Sequence, residues 1–282
     1  MMKIAVLLST YNSSIYLSDL LQSVRDQTYE GWQMFIRDDL SEDGTLEVIR
    51  RYVRGDGRIR FLEDGVKRGA MNGFMWLLQQ VEADYYMFCD HDDVWKKNKI
   101  EVTLNEMLKA ERGGMRPLVV HTDLEVVDAH LVMRETSFWE SQSIKEKEFN
   151  DKYYHLVYNN VTGCTMMINR LARKVSLPVH PNAQMHDSWV VAAVLWHGGR
   201  VYSVHGQTIL YRQHGKNTIG VNELPSIVDK VHRVRTLINK TLRQYAVASC
   251  LSNIGFFHFW LLKFYYMTLI YVRDYKKKAF GV

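Results

Sequence analysis

Short apolar runs alternate with amphipathic stretches through the first hundred residues of the chain. The apolar runs are rich in branched and aromatic side chains, which is typical of buried strands. The stretches between them carry apolar residues at helical spacing over roughly ten residues or more. This alternation predicts a mainly parallel sheet with helices on both faces. The predicted strands are Ile4–Leu8, Met34–Ile36, Ile59–Leu62 and Tyr85–Cys89, and the predicted helices cover about 15–24, 46–52 and 70–81.

After residue 115 the alternation becomes less regular, although strand and helix patterns continue. Short runs of branched residues still predict strands, and one longer apolar run with an acidic start predicts a helix. The sequence shows no internal repeat and no low-complexity stretch. The predicted elements of this part are strands at 118–121, 165–168, 200–204 and 208–211 and a helix at 187–196.

A change in composition near Leu224 marks the one domain boundary that the sequence suggests. We expect a main α/β domain over residues 1–223 and a basic, aromatic, helical tail over residues 224–282. The 282 residues are 47% hydrophobic and 24% charged, which excludes disordered, collagenous and coiled-coil chains.

Charge is distributed unevenly between the body and the tail. The whole chain has 36 basic and 31 acidic side chains, which gives a net charge of +5. From Lys230 onward there are ten basic residues and one acidic residue, Asp274, so this segment carries +9 and the rest of the chain −4. A basic tail on a weakly acidic body suggests that the tail meets an anionic partner.

The tail also contains a long apolar and aromatic stretch, Ile254–Val272, which is interrupted by His258 and Lys263. Aromatic residues flanked by basic ones are typical of a helix that lies in the headgroup region of an anionic membrane. Two alternatives remain for this stretch: a C-terminal helix buried against the body, and a homodimer interface. We expect no nucleic-acid partner, because the chain has no recognised nucleic-acid-binding module.

The cysteines and the N-terminus indicate the compartment. Cys89, Cys164 and Cys250 are too few and too widely spaced for a disulfide framework, which favours a reducing environment. The N-terminal apolar run lacks a small-residue cleavage site and leads directly into a polar loop, so it predicts a first strand and not a signal peptide. We therefore expect a cytoplasmic protein.

The polar residues that directly follow the predicted strands are the first candidates for function, because ligands of parallel α/β sheets bind beyond the carboxyl ends of the strands. The most distinctive segment is Asp90-x-Asp92-Asp93. Three carboxylates on one turn repel each other unless a cation neutralises them. Mg²⁺ and Mn²⁺ prefer oxygen ligands and complete their coordination with substrate phosphates. The alternative is a solvated acidic loop that caps the next helix.

Two common nucleotide-binding patterns are absent. A dinucleotide-binding oxidoreductase needs G-x-G-x-x-G after the first strand, where this chain has Ser9–Ser14. The P-loop pattern G-x-x-x-x-G-K-[ST] does not occur anywhere in the sequence. These absences argue against hydride transfer and against P-loop chemistry.

Short motifs occur in a fixed order along the chain: Ser9-Thr10-Tyr11-Asn12, Gln27-Thr28, Asp38-Asp39-x-Ser41-x-Asp43-Gly44-Thr45, Arg68-Gly69-x-x-Asn72, Asp90-x-Asp92-Asp93, Thr162-Gly163-Cys164-Thr165, His186-Asp187-Ser188-Trp189 and Tyr211-Arg212-Gln213-His214-Gly215. In this order and spacing they resemble the family 2 glycosyltransferases, which bind nucleotide sugars on a GT-A fold. The second half is most similar to the bacterial rhamnosyltransferase-type branch, although that branch most often has Gln where this chain has His91.

The resemblance implies a nucleotide-binding role for the first group of motif residues. It places Thr10, Tyr11 and Asp39 at the base and ribose, with Asn12 as a further nucleotide-sugar-binding residue, and Arg68 near the nucleotide or its diphosphate. Asp39 would accept a hydrogen bond from the imide N–H of uracil or thymine, which favours a UDP- or dTDP-sugar. The alternative for Tyr11 is that it is an ordinary aromatic residue at the end of a strand, with no role in ligand binding.

The resemblance also implies the metal and catalytic residues. Asp90 would face the ribose and a divalent metal, Mg²⁺ or Mn²⁺, with Asp92 and His214 as further ligands. Asp187 would be the general base that deprotonates the acceptor hydroxyl. A turn cap remains the alternative for His214, and a helix N-cap remains the alternative for Asp187.

One further phosphate contact is suggested by chemistry alone. The guanidinium of Arg212 matches the geometry of a phosphate, so we place it near the diphosphate. This assignment does not come from the resemblance.

These residues predict a metal-dependent, inverting glycosyltransferase. It would move a sugar, with L-rhamnose as the candidate, to a hydroxyl of a saccharide or lipid-linked saccharide that is a precursor of a cell-surface polysaccharide. The expected location is the inner face of the plasma membrane, with the tail on its surface. The alternatives are a non-catalytic nucleotide-sugar-binding relative and a nucleotidyltransferase. A nucleotidyltransferase would require a basic, glycine-rich loop after the first strand.

Overall fold

The structure is a computed structural model that describes residues 2–214 and 227–280. For residues 227–235, 274 and 276–280 it describes the backbone only. The first half of the chain folds as the alternation predicts, and each predicted strand and helix is present there. Its elements are β1 (Ile4–Thr10), α1 (Leu17–Arg25), β2 (Trp32–Asp38), α2 (Thr45–Gly55), β3 (Ile59–Phe61), α3 (Gly69–Gln80), β4 (Tyr85–Cys89), β5 (Val94–Trp95) and α4 (Lys99–Glu111).

The second half is more irregular and contains short helices between its strands. Its elements are β6 (Leu118–Asp128), β7 (Met133–Glu135), α5 (Phe138–Ser141), α6 (Glu146–Phe149), β8 (Met167–Asn169), α7 (Arg170–Val175), α8 (His186–Trp196), β9 (Arg200–Gln213), α9 (Ile227–Ser252) and α10 (Phe256–Phe280).

Among the described residues the strands form one sheet in the order β3-β2-β1-β4-β8-β6-β9-β5, and β7 pairs with β6. The β3-β2-β1-β4 half is parallel throughout, as the alternation predicts. The other half is mixed, because β8 runs antiparallel to both β4 and β6, and β5 runs antiparallel to β9. The carboxyl ends of β1, β2 and β4 therefore lie at the same edge of the sheet. The strands β8, β6, β9 and β5 continue the sheet beyond β4.

Two of the later predictions need correction. The predicted strand at 165–168 is shorter, because Gly163–Thr165 forms a 3₁₀ turn and β8 begins at Met167. The two predicted strands at 200–204 and 208–211 are one long strand, β9, which pairs with β6 along most of its length. The polar segment between those runs lies at a shift in the β6–β9 register, so the strand continues through residues that look like a loop in the sequence.

The core lies on both faces of the sheet, since alternate strand residues point to opposite sides. On one face the strands pack against α1, α2 and α4 through residues such as Leu21, Ile49 and Leu104. On the other face they pack against α3 and α8 through residues such as Phe74 and Val190. The central strands are buried almost completely, which fixes the positions of the loops that leave them.

The tail packs against the body along one stripe of α10 and leaves the rest of that helix exposed. Phe259 and Ala248 are buried with Leu156 and Val157 of the body. Lys263 donates hydrogen bonds to α9, at 2.7 Å to Thr241 Oγ1 and 2.6 Å to Gln244 Oε1. The exposed apolar side chains of α10 include Phe257, Trp260, Leu261, Phe264, Tyr265, Met267, Tyr271 and Tyr275.

Within the described part of the chain, no single helix has the length and apolar composition that a membrane span requires. The segments Thr236–Ser252 and Phe256–Arg273 meet that requirement only as a pair, and they are bent by 110° at the break between them. The predicted domain boundary between residues 223 and 224 lies outside the described residues.

Candidate active site

Asp39 is held as a charged carboxylate at the end of β2. Its Oδ1 accepts a hydrogen bond of 2.6 Å from the backbone N–H of Arg68, and its Oδ2 accepts one of 3.0 Å from Gly69. Burial disfavours the charged form, but these hydrogen bonds and the guanidinium of Arg37 outweigh it, and together they lower the pKa of Asp39. A carboxylate has further lone pairs, so Asp39 keeps the capacity to accept an N–H from a ligand.

Sequence reasoning missed Arg37, which supports Asp39 from inside the sheet. Its side chain is fully buried, and its guanidinium lies 2.8 Å from Asp39 Oδ1 and 3.2 Å from Asp64 Oδ2. An arginine inside the apolar run of β2 is the signal that could have revealed it, because a buried charge normally needs a charged partner.

The predicted residue Thr10 lies at the end of β1 and is buried. Its hydroxyl donates a hydrogen bond of 2.8 Å to Asp38 Oδ1. Asp38 also accepts hydrogen bonds from the hydroxyl and the backbone N–H of Ser41, each at 2.7 Å. Asp38 therefore fixes the loop after β2 and orients the neighbouring Asp39.

Tyr11 and Asn12 form the exposed rim of the same loop. The ring of Tyr11 is 42% exposed, and the Lys67 ammonium lies 4.2 Å from the ring centre and donates a hydrogen bond of 3.0 Å to its hydroxyl. Asn12 has a φ of +47°, and its side-chain oxygen accepts a hydrogen bond of 2.9 Å from Glu42 N–H. An exposed aromatic ring beside a cation and a charged carboxylate suits a flat, polar ligand.

Arg68 stands at the start of α3, next to Asp39. Its guanidinium pairs with Asp64 at 2.5 Å and lies 5.6 Å from the ring of Trp76. Its backbone N–H, and not its side chain, binds Asp39. Arg68 is thus within the predicted nucleotide site, with its side chain anchored at the edge.

The acidic turn after β4 brings several carboxyl groups together. Oxygens of Asp90 and Asp93 and the sulfur of Cys164 lie within 4.8 Å of one another. Burial and the charges of Asp92 and Asp187 raise the pKa of Asp90 to about 7. Burial and the charges of Asp90 and Asp92 raise the pKa of Asp93 well above its usual value. Four acidic groups therefore share a small volume in which their negative charges destabilise each other.

His214, a predicted metal ligand, contacts Asp92 on the acidic turn. Its Nε2 is 3.0 Å from Asp92 Oδ2, and its ring stacks on Tyr16 with ring centres 4.8 Å apart. Both side chains are mostly buried, so β9 brings a histidine from the end of the domain onto the acidic turn.

Arg212 is close to this group, but its described contacts hold the protein together. Its guanidinium donates hydrogen bonds to the backbone oxygens of Asp92 and Ala129, each at 2.9 Å, and pairs with Asp19 at 2.8 Å. Its backbone N–H donates to Asp93 Oδ1 at 3.2 Å. Arg212 thus ties the end of β9 to the acidic turn and to α1.

Asp187 lies in the first turn of α8, and its negative charge contributes to the raised pKa of Asp90. The helix begins at His186, so Asp187 is not its N-cap residue, which is Met185. His186 is buried between Phe74 and Phe88, with ring centres 4.3 Å and 4.8 Å away. This packing fixes the start of α8 and holds Asp187 beside the acidic turn.

The donor set fits a hard divalent cation. Among the described residues the close group of possible ligands is Asp90, Asp93 and Cys164, and it does not include the predicted ligands Asp92 and His214, which contact each other at 3.0 Å. Carboxylate oxygens are the ligands that Mg²⁺ and Mn²⁺ prefer, whereas the sulfur of Cys164 is a soft ligand that suits them poorly. A divalent charge would also relieve the repulsion that raises the pKa of Asp90.

Solved structures share this fold. One is the crystal structure of S. aureus TarS 1-349 in complex with UDP-GlcNAc, with a TM-score of 0.58 and 16% identity over 89% of this chain and 71% of that chain. Another is the mannosyltransferase PcManGT from Pyrobaculum calidifontis in complex with GDP-Man and Mn²⁺, with a TM-score of 0.56 and 15% identity over 87% of this chain and 63% of that one. The protein is therefore an α/β protein of the GT-A class.

Residues 5–176 match the family model described as Glycosyl transferase family 2. Because this match covers more than half of the chain, the protein belongs to the family 2 glycosyltransferases. The predicted family and fold class are thus confirmed.

Curated relatives extend this picture. The chain is 35% identical over 106 residues to the putative teichuronic acid biosynthesis glycosyltransferase TuaG of Bacillus subtilis, covering 38% of this chain and 42% of the relative. It is 30% identical over 106 residues to the glucosyltransferase WfgD of Escherichia coli, covering 38% and 41%. These alignments span about two fifths of each relative. The dTDP-rhamnosyl transferase RfbG of Shigella flexneri is 24% identical over 277 residues, covering 93% of this chain and 91% of that protein.

Proposed function

We propose that the protein transfers a sugar from a UDP- or dTDP-sugar to a hydroxyl of a cell-surface polysaccharide precursor, with inversion at the anomeric carbon. The observation that carries this proposal is the placement of Asp39 and the Asp90–Asp92–His214 group at the same edge of the sheet. The first suits a pyrimidine base, and the second suits a metal-bound diphosphate.

The donor assignment is supported by the charge state of Asp39. A carboxylate accepts the imide N–H of uracil or thymine but offers no donor to the corresponding unprotonated nitrogen of cytosine. Asn12 contacts the loop that follows Asp39, through hydrogen bonds with Ser41 and Glu42, and TarS has been solved with UDP-GlcNAc. The relative RfbG, which aligns over most of this chain, is a dTDP-rhamnosyl transferase. We therefore take L-rhamnose as the candidate sugar, and a dTDP-β-L-rhamnose donor would give an α linkage.

The reaction is a direct displacement. The acceptor oxygen forms a bond to the anomeric carbon while the bond from that carbon to the phosphate oxygen breaks. Asp187 takes the proton from the acceptor hydroxyl, and general base catalysis of this kind typically contributes about 10²–10⁴-fold. A divalent ion held by Asp90, Asp92 and His214 would supply positive charge to the leaving diphosphate.

The tail is proposed to bind the membrane surface on the cytoplasmic side. This proposal is supported by the exposed aromatic and aliphatic side chains of α10. A large apolar patch on a protein surface typically marks an interaction site. A lipid-linked acceptor would be presented at that surface. The free cysteines agree with a reducing compartment.

The experiment is a donor screen with purified protein. UDP- and dTDP-sugars are incubated with Mn²⁺ and a panel of methyl glycosides as acceptors, and release of the nucleoside diphosphate is measured for the wild type and for Asp187→Asn. The proposal predicts turnover of at least one of these donors and a loss of about 100-fold or more in Asp187→Asn with unchanged nucleotide affinity. Unchanged turnover in Asp187→Asn would remove the base role, and binding without turnover would favour the non-catalytic alternative.

A further inference from the structure

A cavity that shares no residue with the candidate active site lies on the sheet face that carries α8. It has a volume of about 1130 Å³ and is bordered by β6, β9, the segment from Ser137 to Phe149, and α10. Small-molecule sites are typically about 300–1000 Å³. The cavity is therefore large enough for more than one sugar ring.

The strand register fixes how far this cavity is from the acidic turn. Met87 of β4 and Val120 of β6 both pair with Met167 of β8, so they lie at the same level of the sheet. Asp90 and Asp123 each follow three residues later, beyond the paired residues of β4 and β6, so the two strand spacings between these strands put them on the order of 10 Å apart. A chain of one or two sugar rings bridges a gap of this size.

The cavity floor is aromatic and rigidly held. Trp139 packs between Phe149 and His205, with ring centres 5.3 Å and 6.0 Å away. Asp123 accepts a hydrogen bond of 3.1 Å from the backbone N–H of Trp139 and another of 3.3 Å from the Gln207 side-chain amide. The buried carboxylate thus fixes the backbone at Trp139 and the amide of Gln207 at the cavity wall.

The cavity rim is polar and accessible. Glu146 accepts hydrogen bonds from His205 Nε2 at 2.8 Å and from Ser203 Oγ at 2.6 Å, and the side chains of Glu146 and His205 are 57% and 74% exposed. Lys145 and Gln207 also border the opening. Such a rim offers both donors and acceptors to hydroxyl groups, while an aromatic floor suits the apolar face of a sugar ring.

The remaining wall comes from the tail. Leu269 and Val272 of α10 line the cavity, and the exposed apolar side chains of the same helix continue away from it. A polar rim disfavours a lipid chain inside the cavity, whereas the outer face of α10 suits one. The saccharide end of a lipid-linked acceptor therefore fits the cavity, with its lipid directed along α10.

From these observations we infer that this cavity binds the saccharide of the acceptor, with Trp139, Glu146, His205 and Gln207 as its recognition residues. This inference rests on the proposed glycosyltransferase function. It assigns the acceptor a place about 10 Å from the acidic turn by strand spacing, and it makes the tail part of the acceptor site.

The test is saturation-transfer NMR of the full chain with UDP and Mn²⁺ present. The probes are methyl glycosides of a hexose, a 6-deoxyhexose and an N-acetylhexosamine, together with one disaccharide. The variants are Glu146→Gln and His205→Ala, which change rim side chains that are 57% and 74% exposed. The matched control is Lys109→Ala, an exposed residue of α4 on the opposite face of the sheet.

At least one glycoside is expected to receive saturation from the protein, and each rim variant is expected to weaken its binding by about 10-fold, equivalent to about 1.4 kcal/mol. The control is expected to bind as the wild type does. Absence of transfer to every glycoside, or binding within twofold in both rim variants, would overturn the inference. UDP binding is measured in the same samples to separate two failures. Loss of glycoside binding with UDP still bound would overturn only this inference, whereas loss of UDP binding would overturn the proposed function itself.

Discussion

The guanidinium of Arg37 lies 2.8 Å from Asp39 Oδ1 inside the sheet, where the two side chains are 0% and 6% exposed. This buried pair keeps Asp39 charged at the position where the nucleotide base is proposed to bind. The proposed donor preference therefore depends on Arg37, whose side chain is fully buried.

Replacing Arg37 with Met should destabilise the fold and weaken nucleotide binding together. Removing one partner of a buried ion pair typically costs about 3–5 kcal/mol, because the other charge stays buried without compensation. Chemical denaturation and calorimetric titration with UDP measure the two effects. Full stability with full UDP affinity would show that Asp39 does not need its partner.

Asp39→Asn tests the base contact directly. The amide lacks the negative charge that favours an imide N–H, so the affinity for UDP should fall by about 10–100-fold, since hydrogen bonds to charged groups contribute about 1.5–3 kcal/mol. The preference for UDP over CDP should shrink in the same variant. An unchanged ratio of the two affinities would place the base elsewhere.

Lys99 should make stability increase with pH in the alkaline range. Burial lowers the pKa of its ammonium to about 8, whereas an unfolded lysine titrates near about 10.4. Because the folded pKa is the lower one, the cost of burying the charge is complete below pH 8 and disappears as the pH rises towards about 10.5. Lys99→Met should remove this cost and raise stability at pH 7 by about 2–3 kcal/mol.

Urea denaturation of the wild type and Lys99→Met at several pH values between 7 and 10 measures this difference. The gain should be largest at pH 7 and should shrink with rising pH. A gain that does not depend on pH would attribute the effect to packing alone.

Arg212→Lys separates a structural role from a phosphate contact. Lysine cannot reproduce three directed hydrogen bonds, so stability should fall by about 2–3 kcal/mol and Mn²⁺ binding should weaken. The control is Arg134→Lys, whose side chain is 63% exposed, and it should change stability by less than about 0.5 kcal/mol. Loss of UDP affinity with unchanged stability would instead support a direct contact with the diphosphate.

Gly73→Ala tests the close approach of α3 to Ser9 near the end of β1, next to the proposed nucleotide site. A Cβ at this position would overlap with Ser9 Oγ and lie 3.1 Å from the Arg37 guanidinium. We expect a loss of about 1–3 kcal/mol in the free energy of unfolding and weaker UDP binding. Gly55→Ala is the control, because nothing lies within 4 Å of its added Cβ, and it should be neutral or slightly stabilising.

The sequence predicts the parallel half of the fold well because local patterns determine it. Each strand from β1 to β4 is a separate apolar run, and the polar residues that follow it mark its carboxyl end. The candidate residues Thr10, Asp39, Asp90 and Asp92 follow from that rule together with the family resemblance.

The remaining features depend on contacts between distant segments, which a local pattern does not contain. β9 continues through His205 and Gly206 because β6 pairs with it on both sides of a register shift. The contact between Asp92 and His214 joins residues 122 positions apart. The cavity proposed to bind the acceptor likewise combines β6, β9 and the tail, and no short motif marks it.

The most direct test of the account is thermal unfolding with UDP and dTDP, with and without Mn²⁺, for the wild type and Asp92→Asn. A ligand well above its Kd should stabilise the wild type by about 1–3 kcal/mol, and this gain should require Mn²⁺. Asp92→Asn should lose most of the metal-dependent part while remaining folded. Stabilisation that is independent of Mn²⁺ and equal in both proteins would contradict a metal-bound diphosphate, and no response to any nucleotide would contradict the nucleotide site itself.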